Sequence, residues 1–247
     1  AGTETVAPAP IAPAEDGCIS AVLTLAANSH FISYGQDKWS DGSSLSQLGF
    51  NPSLEFTFKL PENFELTAGT WWDVNKKSVP AGRLPARADN PLGADIQEID
   101  LWTGLAWTYD KFTIGGTYQG WMYNGDTEQV ADLKLSYDWI VTPSLTWHSR
   151  LTEGASGGDT GSLLVLGLSH TFELGPVSVA TPVNFAHCFT EDYYVSQANG
   201  GSGNGYAYTS VGVQAAYPLE FLGDCYGEWS LISGLTYYWT AGSIIPQ

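Results

Sequence analysis

Residues 64–74 alternate between two kinds of side chain, and this alternation limits the fold more than any other feature of the sequence. One set is apolar or aromatic: Phe64, Leu66, Ala68, Trp72 and Val74. The set between them is polar or small: Glu65, Thr67, Gly69 and Asp73. Successive side chains of a β-strand point to opposite faces, so the segment predicts a strand with one apolar and one polar face. Similar segments recur along most of the chain, and we therefore predict an all-β fold.

Eleven segments of this kind are present in the sequence. They span residues 19–34, 53–60, 64–74, 97–109, 112–123, 130–140, 144–152, 162–172, 177–189, 206–217 and 226–240. Several carry Leu, Trp or Tyr on one face and Asp, Glu, Lys or Arg on the other, which is typical of a transmembrane β-barrel. A transmembrane helix would require a run of about 18 apolar residues, and the sequence has none. The strands of a barrel satisfy one another's backbone groups and need no such run.

The connections between these segments are alternately short and long. The short ones are residues 61–63, 110–111, 141–143, 174–176 and the somewhat longer 218–224, and the long ones are 36–47, 75–95, 124–129, 153–161 and 190–205. Outer-membrane barrels have short periplasmic turns and longer outer loops. The sequence therefore predicts an antiparallel transmembrane barrel over residues 18–247. A flexible periplasmic tail, rich in alanine and proline, precedes it over residues 1–17.

The strand number is open at this point. Bacterial single-chain barrels have an even number of strands, whereas eleven segments are counted. Either one strand is missing from the count or the sheet closes on a parallel pair of strands. The long first segment can break near Asn28, and we predict twelve strands.

Aromatic residues cluster at the ends of the predicted strands: Trp71 and Trp72, Trp107 and Tyr109, Trp121 and Tyr123, Tyr137 and Trp139, and residues 237–239. We predict that they form the two aromatic girdles of a membrane barrel. The alternative is the aromatic core of a soluble barrel or sandwich. A soluble fold would rarely line one strand face with Leu, Trp and Tyr and fill the other with charged residues.

Acidic residues outnumber Lys and Arg by 26 to 9, which gives a formal net charge of −17. No basic patch supports nucleic-acid binding. The residues predicted to face inward and to line a pore are Glu65, Asp73, Glu98, Asp100, Asp132, Lys134, Asp138, His148 and Arg150. Carboxylates in a lumen would favour cations. In the alternative interpretation these groups pair with one another and plug a narrow barrel.

Enzyme activity is not expected from the histidines. A barrel-type hydrolase needs a serine beside its catalytic histidine, but Ser149 directly follows His148 and would face the other side of the strand. His170 and His187 lack metal-ligand spacing. Residues 37–43 resemble a calcium loop but lack its bidentate glutamate. We predict no catalytic residue, no metal and no cofactor.

Cys18, Cys188 and Cys225 are an odd set. An oxidising periplasm permits disulfides. Cys18 and Cys225 would lie at the periplasmic ends of the first and last strands, which become neighbours when a barrel closes, so we predict that they pair. Pairing of Cys188 with Cys225, if the last strand runs the other way, and three free thiols are the alternatives.

Two stretches carry a family resemblance. The run GTWWDVN at residues 69–75, followed by EIDLWTGL at residues 98–105, resembles the G-x-W…E-x-D-x-x-x-G pattern of the TorF-type outer-membrane porins. Residues 33–35 (SYG) and 51–52 (NP) stand where that family has its S-x-Y…G…P signature. The match covers mainly residues 23–121, and this chain lacks the arginine that often follows the tyrosine. The resemblance implies an outer-membrane barrel of porin type without a defined substrate.

We therefore expect a bacterial outer-membrane porin that passes small solutes with a weak cation preference. Its partners would be outer-membrane lipid and lipopolysaccharide. The alternative is a plugged structural barrel that binds a partner through its outer loops, particularly 75–95 and 190–205, or through its tail. A homo-oligomer is compatible with both. The chain begins at Ala1 rather than Met, as expected if a signal peptide has been removed from an exported protein.

Overall fold

The main sheet is a meander in which each strand pairs with the next. The computed structural model describes residues 17–39, 48–76, 95–123, 126–153, 158–194, 203–222, 225 and 227–245. Its strands are β1 Ile19–Asn28, β2 Ile32–Ser33, β3 Gln36–Asp37, β4 Gly49–Leu60, β5 Phe64–Val74, β6 Ile96–Tyr109, β7 Phe112–Tyr123, β8 Asp126–Tyr137, β9 Thr142–Arg150, β10 Gly161–Leu174, β11 Val177–Cys188, β12 Gly205–Pro218 and β13 Ser230–Thr240. Eleven of them form one antiparallel sheet in the order β1-β4-β5-β6-β7-β8-β9-β10-β11-β12-β13. β2 and β3 form a separate short hairpin. Within the described residues, no helix is long and apolar enough to cross a membrane.

The all-β, antiparallel prediction is confirmed, and each predicted segment corresponds to one strand of the main sheet. The prediction of twelve strands is wrong for the part of the chain that the structure describes, where the sheet has eleven. The first segment does break at Asn28, as expected. The residues after the break form the β2–β3 hairpin, however, and do not add a strand to the sheet.

The described residues between strands lie at two ends of the sheet. Residues 61–63, 110–111, 138–141, 175–176 and 219–222 lie at one end, here called the turn end. Residues 29–39, 48, 75–76, 95, 151–153, 158–160, 189–194 and 203–204 lie at the other, here called the loop end. The predicted loop 124–129 is wrong, because β8 already begins at Asp126. The predicted tail over residues 1–17 lies outside the described residues, apart from Gly17.

One face of the sheet, here called the outer face, is apolar on every strand. Paired positions on this face place Leu66 opposite Leu105 and Leu133 opposite Trp147. Exposed apolar side chains occur on all eleven strands, for example Leu25, Phe56, Leu66, Leu105, Ile114, Leu133, Leu145, Leu166, Phe185, Val213 and Leu235. The opposite, inner face carries mainly polar, charged and small residues. The alternation of apolar and polar residues in the sequence therefore arises because successive side chains of a strand lie on opposite faces of the sheet.

The sheet curls around its inner face. The β2–β3 hairpin lies against Trp71 of β5, His148 of β9 and Tyr208 of β12. These strands are the third, seventh and tenth in the sheet order, and a flat sheet could not bring them to one hairpin. The curled sheet remains open between β1 and β13, which are not hydrogen-bonded to each other within the described residues.

Four residues of the predicted aromatic girdles face inward instead. Trp71, Trp121 and Tyr123 are buried on the inner face, and Tyr238 packs there against the ring of Tyr208. Trp71 and Trp72 are consecutive, so only one of them can face outward in a strand. Trp121 and Tyr123 pair with Asp100 and Glu98 of β6, and directly paired residues share a face. Trp107 is partly buried, and the other girdle aromatics, including Trp72, Tyr109 and Tyr137, are exposed.

Candidate functional site: a plug at the loop end

Most of the charged residues predicted to face inward meet at the loop end. Asp73, Glu98, Asp100, His148 and Arg150 are all buried there, on the inner face of β5, β6 and β9. Asp73 is paired with Glu98 across β5 and β6. These charged side chains are therefore packed inside the protein and do not line an open passage at this end.

The other predicted pore residues are distributed differently. Asp132 on β8 lies opposite His148. Glu65 and Lys134 face inward nearer the turn end and are exposed. The placement of Asp138 is a correction, because β8 ends at Tyr137 and Asp138 lies in the exposed turn that follows.

Residues 31–39, here called the plug hairpin, enter the space inside the sheet. Their turn has positive φ at both central residues, 46° at Tyr34 and 80° at Gly35, as in a type I′ hairpin. A Cβ at Gly35 would lie only 2.6 Å from the Tyr208 ring. The turn therefore requires glycine both for its backbone conformation and for its close approach to β12.

Asp73 holds the base of the plug hairpin. The indole Nε1 of Trp39 donates to its Oδ2 at 3.0 Å. The side-chain amides of Asn51 and Asn75 donate to its Oδ1 at 3.0 Å and 2.9 Å. The Phe31 ring lies 5.0 Å from the Trp71 ring, between centroids. One buried carboxylate thus accepts from the plug hairpin, from β4 and from the residue after β5.

Arg150 holds a second segment, residues 189–194, here called the plug loop. Its Nη1 donates to the backbone oxygens of Tyr193 at 2.9 Å and Asp159 at 3.3 Å. Its Nε lies 3.5 Å from Oε2 of Glu128, and its guanidinium carbon lies 4.1 Å from the centre of the Tyr193 ring. A planar guanidinium can make such contacts in several directions at once.

His148 contacts both plug segments. Its Nδ1 lies 2.6 Å from Oδ1 of Asp132, which as a carboxylate can only accept. Its Nε2 lies 2.7 Å from the hydroxyl of Tyr193. Burial raises the pKa of that hydroxyl, so it keeps its proton and donates to Nε2. The Tyr34 ring of the plug hairpin lies 3.9 Å from the His148 ring, and His148 itself is fully buried.

The two plug segments also contact each other and the end of the chain. The Tyr194 hydroxyl donates to the Tyr34 backbone oxygen at 2.8 Å. Ile244 and Ile245, in the turn after β13, are buried in the same cluster. The loop end of the inner space is therefore filled by three segments that are distant in sequence.

The serine next to His148 in sequence does not face it. The hydroxyl that reaches His148 is the buried phenol of Tyr193. Ser149 faces outward, where Trp147 Nε1 donates to its Oγ. Within the described residues, no group of His, Cys, Asp and Glu is arranged to hold a metal ion. What the geometry does provide is a set of buried hydrogen bonds that fixes the plug.

Sequence reasoning missed the partners of the inward residues. The sequence predicts Tyr34 in a long first strand and Trp39, Tyr193 and Tyr194 in loops. The Tyr-Gly pair at residues 34–35 was the available signal, because a two-residue turn with glycine is typical of a hairpin. Nothing local to residues 193–194 indicates contact with His148.

The cysteine prediction is not supported. Cys18, Cys188 and Cys225 are all free, and the predicted pair Cys18 and Cys225 is exposed. β1 and β13 are not paired in the described sheet, so strand pairing does not hold Cys18 next to Cys225. The buried Cys188 thiol donates to the backbone oxygen of Thr190 at 3.2 Å.

Comparison with family models, with curated proteins and with solved structures finds no match to this chain. Its resemblance to TorF-type porins therefore stays a prediction.

Proposed function

We propose that this protein is a β-barrel of the bacterial outer membrane whose lumen is closed at the loop end, and that it acts as a scaffold or binding protein rather than an open pore. The observation that carries the membrane location is the outer face, which exposes apolar side chains on all eleven strands. Soluble monomers rarely expose contiguous apolar patches larger than a few hundred Å². In a bilayer the same face would be covered by lipid.

The distribution of side chains on the outer face supports the same location. Near the turn end it carries Trp107, Tyr109 and Tyr137, and near the loop end Trp72 and Trp239. Leucines dominate between them. Tryptophan and tyrosine favour the two membrane–water interfaces, and aliphatic side chains favour the hydrocarbon core. The partners expected from this face are outer-membrane lipid and lipopolysaccharide.

The plug favours a closed lumen over a passive porin. Tyr34, Trp121, Tyr193 and Ile245 are buried inside the curled sheet. A protein partner would then meet the outer loops. The inward carboxylates favour a second candidate, a cation-preferring porin, whose passage would open only when the plug moves.

Single-channel recording in a planar bilayer tests the closed lumen. We expect no discrete conductance from the refolded protein. The double variant Tyr34→Ala/Tyr193→Ala removes the two plug rings that contact His148, and we expect it to conduct with cation selectivity. The matched control, Tyr118→Ala/Tyr206→Ala, removes two exposed tyrosines and should stay silent. Steady conductance from the unmodified protein would overturn the plug and favour the porin.

Flotation with phospholipid vesicles tests the membrane location separately. The refolded protein should float with the vesicles and resist extraction by carbonate, and its gel migration should change on boiling. A folded protein that stays in the aqueous fraction would refute the membrane location, whatever the bilayer recording shows.

A further inference from the structure

The two edge strands of the sheet lack the usual protection of free edges. β1 reads ISAVLTLAAN and β13 reads SLISGLTYYWT, without a charged residue or a proline. Exposed edges in natural proteins are commonly blocked by lysine, proline or a bulge, because their unpaired backbone groups can bind another strand. The register of β1 with β4 and of β13 with β12 also shows no bulge. Both edges are suited to pairing.

The direction of the two edges limits what they can pair with. The main sheet has eleven strands, each antiparallel to its neighbours, so β1 and β13 run in the same direction. Within one chain they can form only a parallel pair. A second copy with the same orientation in a membrane would also offer only parallel edges.

We propose that β1 and β13 of one chain pair directly as parallel strands in the membrane and so close an eleven-stranded barrel. This inference rests on the proposed membrane location. In water, solvent can satisfy the open edges, whereas each unpaired backbone group in hydrocarbon costs several kcal/mol. A parallel pair is slightly weaker than an antiparallel one, but it satisfies these groups.

The plug favours pairing within one chain over pairing with a second copy. The plug hairpin follows β1, and its Gly35 lies against Tyr208 of β12 and Ile245 after β13. The segments that leave the two edge strands therefore already meet at the loop end. The other edge of the same chain is the partner that β1 reaches without a second molecule.

The side chains at the seam are compatible with closure. On the inner face β1 would bring Thr24 and Ala26, and β13 would bring Gly234 and Thr236. On the outer face the edges carry mainly aliphatic and aromatic groups, among them Leu25 and the 74% exposed Leu235. Closure thus buries no charge and extends the apolar outer face without interruption.

Cysteine cross-linking in vesicles tests the seam. The background carries Cys18→Ser, Cys188→Ala and Cys225→Ser. Leu25→Cys is then combined, one at a time, with a cysteine at Leu231, Ser233, Leu235, Tyr237 or Trp239, which all lie on the outer face of β13. We expect a short thiol cross-linker to join Leu25→Cys to one position, or to two neighbouring ones, within a single chain. The product would show a shifted migration of the monomer on a non-reducing gel.

The experiment has one positive and one negative control. Leu23→Cys with Leu54→Cys joins residues that are paired in the sheet and should cross-link. Leu25→Cys with Leu133→Cys places the two cysteines on strands that are far apart in the sheet order, and this pair should not cross-link. A dimer band, or no product at any of the five positions while the first control reacts, would overturn the seam. Vesicle flotation of the same variants distinguishes the two proposals. Variants that float without a cross-link would overturn the seam alone, whereas variants that do not float would overturn both the seam and the membrane location.

Discussion

At the residue scale, the plug hairpin depends on an unfavourable backbone turn. Tyr34 has a φ of 46°, a left-handed conformation that costs a residue with a Cβ roughly 1–2 kcal/mol. The contacts of Tyr34 with the His148 ring and the Tyr194 hydroxyl offset this cost. Gly35 adopts the same region without a Cβ.

Gly35→Ala should therefore destabilise the protein by more than its backbone conformation alone explains. The added Cβ would meet the Tyr208 ring, whereas a Cβ at Gly175, also at positive φ, would meet nothing within 4 Å. We expect Gly175→Ala to lower the free energy of unfolding by about 1 kcal/mol and Gly35→Ala to lower it clearly further. Urea unfolding followed by tryptophan fluorescence measures both. Equal losses would contradict the close packing of Gly35.

At the element scale, two strands anchor the plug loop. β9 supplies His148 and Arg150, and β8 supplies Asp132 and Glu128. The plug loop contributes the Tyr193 ring, hydroxyl and backbone oxygen to these groups. Because Arg150 contacts both the backbone oxygen and the ring of Tyr193, the loop should be lost as a unit when that arginine is removed.

Arg150→Met tests this dependence. Breaking a buried ion pair by removing one partner typically costs 3–5 kcal/mol, so we expect a loss of about 3 kcal/mol in the free energy of unfolding. Chymotrypsin should also cut faster after Tyr193 or Tyr194. The control is Lys134→Met, which removes an exposed inward charge on β8 and should change stability by less than about 0.5 kcal/mol. Unchanged cleavage in Arg150→Met would rule out its role as the anchor of the plug loop.

At the scale of the whole molecule, the two faces of the sheet have different surroundings. The inner face packs around the plug at the loop end, while the outer face keeps apolar side chains exposed on all eleven strands. A soluble fold would leave this surface in water. A membrane would cover it, and charges placed on it would then become costly.

Leu133→Lys distinguishes these surroundings. Leu133 is 49% exposed near the middle of β8, and lysine at the bilayer midplane of a barrel costs roughly 2–4 kcal/mol. We expect a loss in that range for unfolding from vesicles. The control Ser136→Lys places the same charge on the inner face near the turn end and should cost less than half as much. A loss below about 0.5 kcal/mol, which is usual for surface substitutions in water, would speak against lipid at this face.

The sequence by itself determined the strands and their faces. A period of two is a local property of extended backbone, so it placed Glu98, Asp100, His148 and Arg150 on the inner face without knowledge of the rest of the chain. The alternation of short and long connections likewise predicted the two ends of the sheet.

Only the tertiary structure decided what lies against the inner face. His148 contacts Tyr193 and Tyr34, and Tyr34 accepts a hydrogen bond from Tyr194. These contacts join residues far apart in sequence, and a periodic pattern gives the direction of a side chain but not its partner. The same reason applies to the edges of the sheet. Residue patterns predict each strand, but only the completed pairing order shows that β1 and β13 each have a single neighbour in the described sheet.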